Sequence, residues 1–405
     1  MLLDISPLRR HRDYRLLFLG QVVSALGNFF TYVALPVQLF GLTKSSAMVG
    51  ALGAVQLVPL ALTALWGGVL ADAFDRRKLL RWCETLLMAC SLALAVNSLL
   101  PHPSVTAIFI IAALMSGISG IHVPSLESLT PKLVERQDLT AVSALTSLRG
   151  TSAAIAGPAL AGLCIAAFGL AATFVIDAAS FAISLAALTA IRAMPPPDTA
   201  PSVSFASIRE GFRYAAGRPE LIGTYVVDIV AMTFAMPMAL FPALAARWGG
   251  AHSIGYLYSA MSVGSLLVTL FSGWSKHVAR HGAAVVLAAI GWGIAITGLG
   301  FANTLAVAVL WLALAGAADM VSGLFRMTIW NETIPTEIRG RMAGIEQLSY
   351  MTGPLLGNAR AGYMGQRFGS ANAILWGGVI CVAGVIACAP LLPAFWRYRR
   401  AASGS

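Results

Sequence analysis

Twelve runs of predominantly apolar residues, each at least 20 residues long, follow one another along this chain of 405 residues. A helix of about 20 apolar residues is needed to cross the hydrocarbon core of a bilayer, which is roughly 30 Å thick. The runs are continuous rather than alternating, which excludes the strands of a transmembrane barrel. The sequence therefore predicts an all-α membrane protein with twelve spans, over residues 15–40, 47–71, 79–100, 104–129, 140–168, 171–193, 220–246, 253–274, 283–302, 304–330, 342–367 and 371–393.

Charge is scarce in this chain, at 11% of the residues against 58% that are hydrophobic. A soluble domain needs about 25% charged residues to cover its surface, so a soluble enzyme, a disordered chain and a secreted disulfide scaffold are all excluded. The five cysteines lie inside apolar runs and form no CxxC pair, which argues against a disulfide framework and against a zinc site. We expect no metal and no other cofactor.

The net charge of +10 comes from short basic clusters between the apolar runs, a pattern that favours a membrane topology signal over nucleic-acid binding. If the N-terminus is cytoplasmic, nearly all Lys and Arg outside the spans fall on the cytoplasmic side. Only Lys44, Arg247 and Arg367 fall on the opposite side. Because basic residues are enriched in cytoplasmic loops, we expect both termini to be cytoplasmic.

The chain divides into two halves of six spans each. The halves are in weak register, for example ALPVQLF at 34–40 with AMPMALF at 235–241. An even number of spans per half relates the halves by an axis along the membrane normal. We therefore predict two pseudo-symmetric six-helix bundles, residues 1–194 and 219–405. Between them, residues 195–218 would form a cytoplasmic linker, with a proline-rich part followed by an amphipathic helix on the inner membrane surface.

The loop after the second span reads GGVLADAFDRRK. It resembles the signature of the major facilitator superfamily, Gly-x-Leu-Ala-Asp-Arg-x-Gly-Arg-Lys, and departs from it at Ala73 and Asp75. The resemblance implies the major facilitator fold, with a substrate path between the two bundles. The positions that match are Gly68, Leu70, Ala71, Asp72, Arg76, Arg77 and Lys78.

Two motifs carry conformational roles in the superfamily that the resemblance transfers to this chain. Asp72 is placed to meet the N-terminus of span eleven, and Arg76 to pair with Glu127 at the inner end of span four, which would latch the outward-facing state. Gly157-Pro158 resembles the Gly-Pro-x-x-Gly-Gly motif of family antiporters in span five. Proline breaks the hydrogen-bond ladder and glycine leaves room for a neighbouring helix, so that site can bend or seal tightly.

Four further segments resemble the efflux branch of the superfamily, which includes the macrolide exporters and the enterobactin (siderophore) exporter. The resemblance implies a secondary active transporter that exports a hydrophobic or amphipathic small molecule across a bacterial inner membrane by alternating access. No GxxxxGK[ST] loop for ATP is present, and by resemblance the proton gradient is the energy source. The segments lie at residues 7–30, 122–145, 174–181 and 334–345.

Ionisable residues inside the spans are costly and mark candidate sites. In the superfamily the first and fourth helices of each half line the cavity, which favours Asp228 and Asp319. We take Asp228 as the first candidate for a reversible proton carrier, with an ion pair to an arginine as the structural alternative. Asp319 and Arg326 lie two turns apart on one helical face and could form one network. The full set is Arg149, Asp177, Asp228, Asp319, Arg326, Glu346 and Arg360.

The remaining candidates have weaker claims. Arg149 could hold an anionic substrate, Asp177 is better placed for inter-helix bonding or capping, and Glu346 could couple protons or stabilise the N-terminus of span eleven. Amide, imidazole and aromatic groups near the predicted cavity would suit a bulky amphipathic ligand, although each could equally be ordinary packing. These are Asn28, Tyr32, Gln38, His122, Tyr225 and Phe234.

Three alternatives stay open at this level. A dedicated siderophore exporter is one, because embedded arginines could serve an anionic catecholate as readily as embedded carboxylates serve a cationic drug in multidrug efflux. A lipid or lysophospholipid translocator is the second. A membrane-embedded enzyme or sensor is the third, and the sequence holds no HExxH, GxSxG or clustered His to favour it. We expect a monomer whose partners are its substrate, protons and the bilayer, with no nucleic acid.

Overall fold

The computed structural model describes residues 4–192, 205–335 and 338–399, without the side chains of 65–73, 205–208, 251, 339–341 and 343–344. Every regular element within these residues is helical. Short 3-10 turns lie at Thr130–Leu133, Arg136–Asp138, Met238–Leu240 and Ser272–His277. The α-helices are α1 (Ser6–Arg10), α2 (Arg12–Thr43), α3 (Ser46–Ala73), α4 (Arg76–Leu99), α5 (Val105–Leu129), α6 (Leu139–Thr189), α7 (Phe205–Ala216), α8 (Pro219–Ala235), α9 (Phe241–Arg247), α10 (Ala251–Leu270), α11 (His281–Gly300), α12 (Leu305–Thr333), α13 (Arg339–Phe368), α14 (Ser370–Leu391) and α15 (Pro393–Trp396).

Ten helical stretches among the described residues are long and apolar enough to cross a membrane. One of them, Arg136–Thr189, has 54 residues and would measure about 80 Å at 1.5 Å per residue, far more than one bilayer crossing. Its backbone breaks at Gly169, where φ is 81°, a value that favours glycine, so it holds spans five and six. The 30-residue α13 is long enough for a further span despite its charges. The predicted all-α membrane fold with twelve spans is confirmed.

The seventh predicted span differs from the structure. Residues 220–246 are not one helix, because α8 ends at Ala235 and α9 begins only at Phe241. Met236 has an extended backbone, with ψ at 117°, and it precedes Pro237. A residue before proline is biased against the helical conformation, which explains the break.

The amphipathic helix predicted in the linker is present as α7. Its C-terminal end packs on protein, since Ala215 is buried in a cluster with Leu221 and Trp330. The hydroxyl of Tyr214 donates a hydrogen bond of 2.6 Å to the carbonyl oxygen of Thr333, at the end of α12. These contacts fix the helix to the start of α8 and the end of α12.

The chain forms two compact units. The first comprises Met1–Thr43, Val58–Val203 and Ile254–Ser259, and the second comprises Lys44–Leu57, Ser204–Ser253 and Ala260–Ser405. In the first unit α2 packs along α6 and α4 packs on α5 and α6. In the second, α11 packs on α12 and α14, and α8 packs on α13 and α14.

Glycines set the close approach of helices within each unit. In the first unit, a Cβ at Gly27 of α2 would collide with Ser180 of α6. In the second unit, the short α15 seats Phe395 against Gly223 of α8, and the Phe395 carbonyl against Gly282 of α11. Small residues of this kind permit the tight backbone packing that holds helices together in a membrane.

Replacing Phe395 with alanine should destabilise the second unit, because its ring is fully buried, with 1% exposed. We expect F395A to lower the free energy of unfolding by about 3 kcal/mol, the range for emptying a buried phenylalanine site. Thermal unfolding in detergent, monitored by tryptophan fluorescence, measures this change in stability. The matched control is L391A, which trims a side chain that is 78% exposed; equal losses in the two variants would contradict the seating of Phe395.

Candidate functional site

Three charged side chains of the second unit form one cluster inside the helices. Arg326 of α12 donates from Nη1 to Oδ1 of Asp228 on α8, and its Nη2 lies 3.7 Å from Oδ1 of Asp319. Asp319 and Arg326 are seven residues apart, which places both on the same face of α12. The Asp228 side chain is 4% exposed and that of Arg326 is 11% exposed, whereas Asp319 is 35% exposed. The arginine is thus paired tightly with the buried carboxylate and loosely with the accessible one.

This cluster lies in the wall of a cavity of about 360 Å³ within the second unit. The rest of the lining is almost entirely apolar and includes five methionines. Methionine is flexible and polarisable, so such a wall adapts to ligands of different shape. The lining residues are Asp228, Met232, Met236, Met238, Met261, Trp292, Asp319, Gly323, Arg326, Met327, Trp330, Tyr350 and Pro354.

Hydrogen bonds and ring contacts fix Trp330, one wall of this cavity. Its indole Nε1 donates a 2.9 Å hydrogen bond to Oγ1 of Thr224 on α8. The ring of Tyr225 lies 5.9 Å from the Trp330 ring, centroid to centroid. Tyr225 therefore packs against a lining residue without being one of the residues that line the cavity.

A second buried polar network lies in the first unit, around Glu84 of α4. Glu84 is fully buried, and its Oε1 accepts hydrogen bonds from Nε2 of Gln21 on α2 at 2.6 Å and from Oγ of Ser184 on α6 at 2.9 Å. The same oxygen lies 3.3 Å from Nε2 of His122 on α5. Its other oxygen, Oε2, has no hydrogen-bond partner within the described part of the chain.

The sequence analysis missed Glu84. It lies only eight residues into α4, close to the basic loop, and was therefore not counted among the intramembrane charges. The helical spacing of the sequence indicates that Glu84 is buried, because it lies on the same helix face as four other residues. These are Leu80, Leu87, Ser91 and Leu94, all of which are buried. A carboxylate on the buried stripe of a membrane helix marks a candidate site.

Asp177 joins three helices of the first unit. Its Oδ2 accepts hydrogen bonds from Oγ1 of Thr31 on α2 at 2.5 Å and from Oγ of Ser91 on α4 at 2.7 Å. Its side chain is fully buried, and no cation is paired with it among the described residues. This is the inter-helix bonding that its place in span six predicts.

The structure divides the eight predicted pocket and coupling residues between several places. Tyr32 is half-exposed and packs edge-on to Tyr258, whose ring centroid is 5.6 Å away. Arg149 is partly buried. Asp228 and Asp319 line the cavity, Tyr225 and Glu346 belong to the same unit but are not among its lining residues, and Asn28, Tyr32, His122 and Arg149 belong to the first unit.

The signature loop, residues 67–78, includes the start of α4, where its arginines contact neighbouring helices. Of its residues, Gly68 and Asp72 lie outside the described side chains. Arg76 is buried, and its Nε donates 3.1 Å to Oγ of Ser128, the neighbour of the expected partner Glu127, which is itself exposed.

Two other residues of this loop cap helix ends. Arg77 donates from Nε and Nη2 to the carbonyl oxygens of Leu188 and Thr189, at 3.0 Å each. These carbonyls end α6 and have no partner within the helix. Asp75, a departure from the superfamily signature, is the N-cap of α4 and accepts from the backbone N–H groups of Arg77 and Lys78. The departure therefore still stabilises the loop, because aspartate is a favoured N-cap.

Gly157 and Pro158 form a site of tight packing in the first unit. A Cβ at Gly157 would lie 2.6 Å from Cβ of Phe29 on α2. The carbonyl oxygen of Pro158 would lie 2.9 Å from a Cβ on Gly255. Backbone dihedral angles stay helical through the motif, since Gly169 is the non-helical residue of α6.

Comparison with known proteins identifies the family of this chain. The family model of transmembrane secretion effectors, a branch of the major facilitator superfamily, matches residues 4–397. The chain belongs to this family. It is therefore a membrane transporter rather than an enzyme, and it is a multi-pass membrane protein.

Curated relatives at moderate identity are exporters. The enterobactin exporter EntS of Shigella boydii serotype 18 is 31% identical over 365 residues, which cover 90% of this chain and 88% of that protein. The EntS protein of Escherichia coli O81 is 30% identical over the same length.

Solved structures show the same fold at low sequence identity. The nucleoside transporter NupG aligns with a TM-score of 0.77 at 13% identity, covering 95% of this chain and 99% of that one. A peptide transporter of the POT family aligns with a TM-score of 0.74 at 12% identity, covering 97% and 98%. These likenesses establish the major facilitator fold of the chain.

Replacing Arg326 alone should lower the free energy of unfolding more than replacing Arg326 and Asp228 together. R326M leaves Asp228 as an unpaired buried charge, and we expect the unfolding free energy to fall by about 3–5 kcal/mol. The double variant D228N/R326M removes the buried charge of Asp228 and leaves only Asp319 charged, whose side chain is 35% exposed, so it should recover part of this loss. Thermal unfolding of the purified variants in detergent tests the comparison.

The control for this cycle is R218M, which breaks the pair of Arg218 with Glu220 near the start of α8. The Arg218 side chain is 43% exposed, so this loss should stay within about 1 kcal/mol. A double variant no more stable than R326M alone would show that the ion pair does not govern stability at this site.

Proposed function

We propose that this transporter exports a hydrophobic or amphipathic small molecule from the cytoplasm of a bacterium in exchange for protons. It acts as a monomer in the inner membrane, with both termini in the cytoplasm, and it alternates access by rocking residues 1–194 against residues 219–405. The observation that carries this proposal is the cluster of Asp228, Arg326 and Asp319 in the wall of an otherwise apolar cavity.

The chemistry of the cavity supports this substrate class. Tryptophan and methionine side chains offer a large apolar surface, and most polar specificity comes from two carboxylates and one guanidinium. Sites of this kind, mostly apolar with a few fixed polar groups, are typical of small-molecule binding. A ligand with a bulky apolar body and a charged or hydrogen-bonding group fits both the apolar lining and the charged cluster.

The same cluster gives a route for coupling transport to protons. With both carboxylates charged, the cluster has one negative charge in excess, which either a proton or a positively charged group on the ligand can neutralise. Arg326 is bound tightly to Asp228 and lies 3.7 Å from Asp319. A proton on Asp228 would release Arg326 towards Asp319 and change the polar groups that a ligand meets. Exchange of proton for ligand at Asp228 is therefore the coupling step that we propose.

Siderophore export is the specific alternative within this class. It is favoured by the identity with enterobactin exporters, which extends over nine-tenths of the chain. In this case Arg326 would be the group in the cavity wall that binds an anionic ligand.

A substrate panel in proteoliposomes tests the function directly. We expect an imposed pH gradient to drive transport of at least one of enterobactin, erythromycin and ethidium. Transport of enterobactin alone would favour a dedicated siderophore exporter, and transport of several probes would favour a multidrug exporter. If no probe moves faster than in empty liposomes, or if the pH gradient has no effect on any of them, the proposal is wrong.

Replacing Asp228 with asparagine should separate coupling from binding. D228N removes the proton carrier but keeps the side-chain shape, and Arg326 keeps Asp319 as a partner. We expect gradient-driven transport to be lost while exchange of labelled for unlabelled substrate, measured without a gradient, continues. The control E220Q alters a carboxylate of the Arg218 pair and should keep both activities. Gradient-driven transport by D228N at the wild-type rate would rule out Asp228 as the carrier.

A further inference from the structure

From the first-unit network we infer that Glu84 and His122 together form a second proton-binding site, which carries one proton in each transport cycle. This inference rests on the proposed proton antiport and adds a site that the cavity of the second unit does not contain. The pair joins α4 to α5, and Nε2 of His122 lies 3.3 Å from Oε1 of Glu84.

The surroundings of Glu84 indicate that Glu84 and His122 bind the proton together, rather than the Glu84 carboxylate alone. Oε1 accepts from Gln21 and Ser184, which are neutral donors, and Oε2 has no hydrogen-bond partner among the described residues. A negative charge with no cation beside it is expensive in a dry interior. One shared proton, on either residue of the pair, removes the net charge. Because the two groups interact closely, the proton belongs to the pair and not to one member.

No other titratable side chain among the described residues bonds to Glu84. The helix α2 presents Gln21, α6 presents Ser184, and α5 presents His122. Asp177 lies two turns before Ser184 on α6 and is bonded to hydroxyl groups instead. On α4 itself, the thiol of Cys83 is a buried neighbour. His122 is thus the titratable side chain that contacts this carboxylate within the described part of the chain.

The two residues differ in access, as a proton site requires. The Glu84 side chain is fully buried, whereas that of His122 is 11% exposed. Imidazole has two nitrogens and can take a proton on one while giving it up from the other. His122 is therefore the entry point and Glu84 the buried acceptor.

Counting protons tests this inference. With the membrane potential clamped at zero, the logarithm of the steady-state substrate ratio rises with the pH difference, and the slope is the number of protons exchanged per substrate. The probe is whichever of enterobactin, erythromycin and ethidium the wild type transports fastest. We expect E84Q and H122N each to lower this slope by one relative to the wild type, and E84D, which restores a carboxylate, to recover it.

The matched control is D177N, which changes another fully buried carboxylate of the same unit and should leave the slope unchanged. A wild-type slope of zero would overturn the proposed antiport and this inference together. A wild-type slope above zero that E84Q and H122N leave unaltered would overturn this inference alone.

Infrared spectroscopy supplies a readout that does not depend on transport. Difference spectra of the purified protein between acidic and alkaline pH should contain a carboxyl C=O or imidazole band that disappears in E84Q and shifts in H122N. This measurement also decides the case in which a variant is inactive in liposomes or no probe is transported. Identical difference spectra for the wild type and both variants would mean that the pair binds no proton.

Discussion

A charge inside a helix bundle surrounded by lipid must find a partner, and in the second unit this constraint falls on Arg326. Its guanidinium carries a positive charge, and α8 and α12 each bring a carboxylate close to it. Asp228 supplies the close pair and Asp319 the looser one. The bond ties α8 to α12 and places three charges beside the cavity. Packing and binding chemistry therefore depend on the same contact.

The first unit meets the same constraint with different chemistry. Glu84 and Asp177 are both fully buried, and neither has a guanidinium or ammonium partner among the described residues. Neutral donors surround them instead, from Gln21 and Ser184 in one case and from Thr31 and Ser91 in the other. Such networks connect helices without fixing a charge, and each carboxylate holds together elements that are far apart in the sequence.

Much of the fold could be predicted from the sequence because it follows from the length of apolar runs. The twelve spans were found in this way, whereas the helix in the linker was found from its amphipathic spacing. The break between α8 and α9 was missed, although Pro237 marks it, because the apolar run continues across it. The break at Gly169 was predicted, because a glycine there separates two runs that are each long enough for a span.

The site was only partly predictable, because membership in a pocket depends on which helix faces meet. Asp228 and Asp319 were found because charges inside spans are rare. Glu84 was overlooked near a span end, where a charge is normally solvated and only its buried helical stripe distinguishes it. For Arg76, the structure shows a hydrogen bond to Ser128, the chain neighbour of Glu127, and the ion pair with Glu127 stays a prediction. The sequence identifies ionisable residues whose burial costs free energy, but only the packed structure identifies the side chains that pair with them.

The two units differ in what a proton would do to them, and this difference bears on how a transporter of this family could be driven. In the proposed cycle, a proton on Asp228 neutralises the carboxylate closest to Arg326, and the cluster then rearranges or accepts a ligand. In the first unit, a proton shared by Glu84 and His122 cancels a charge and leaves the hydrogen bonds from Gln21 and Ser184 in place. A proton therefore changes ligand contacts in one unit and mainly net charge in the other. In the proposed cycle, the substrate site changes in one unit while the helix packing of the other unit stays in place.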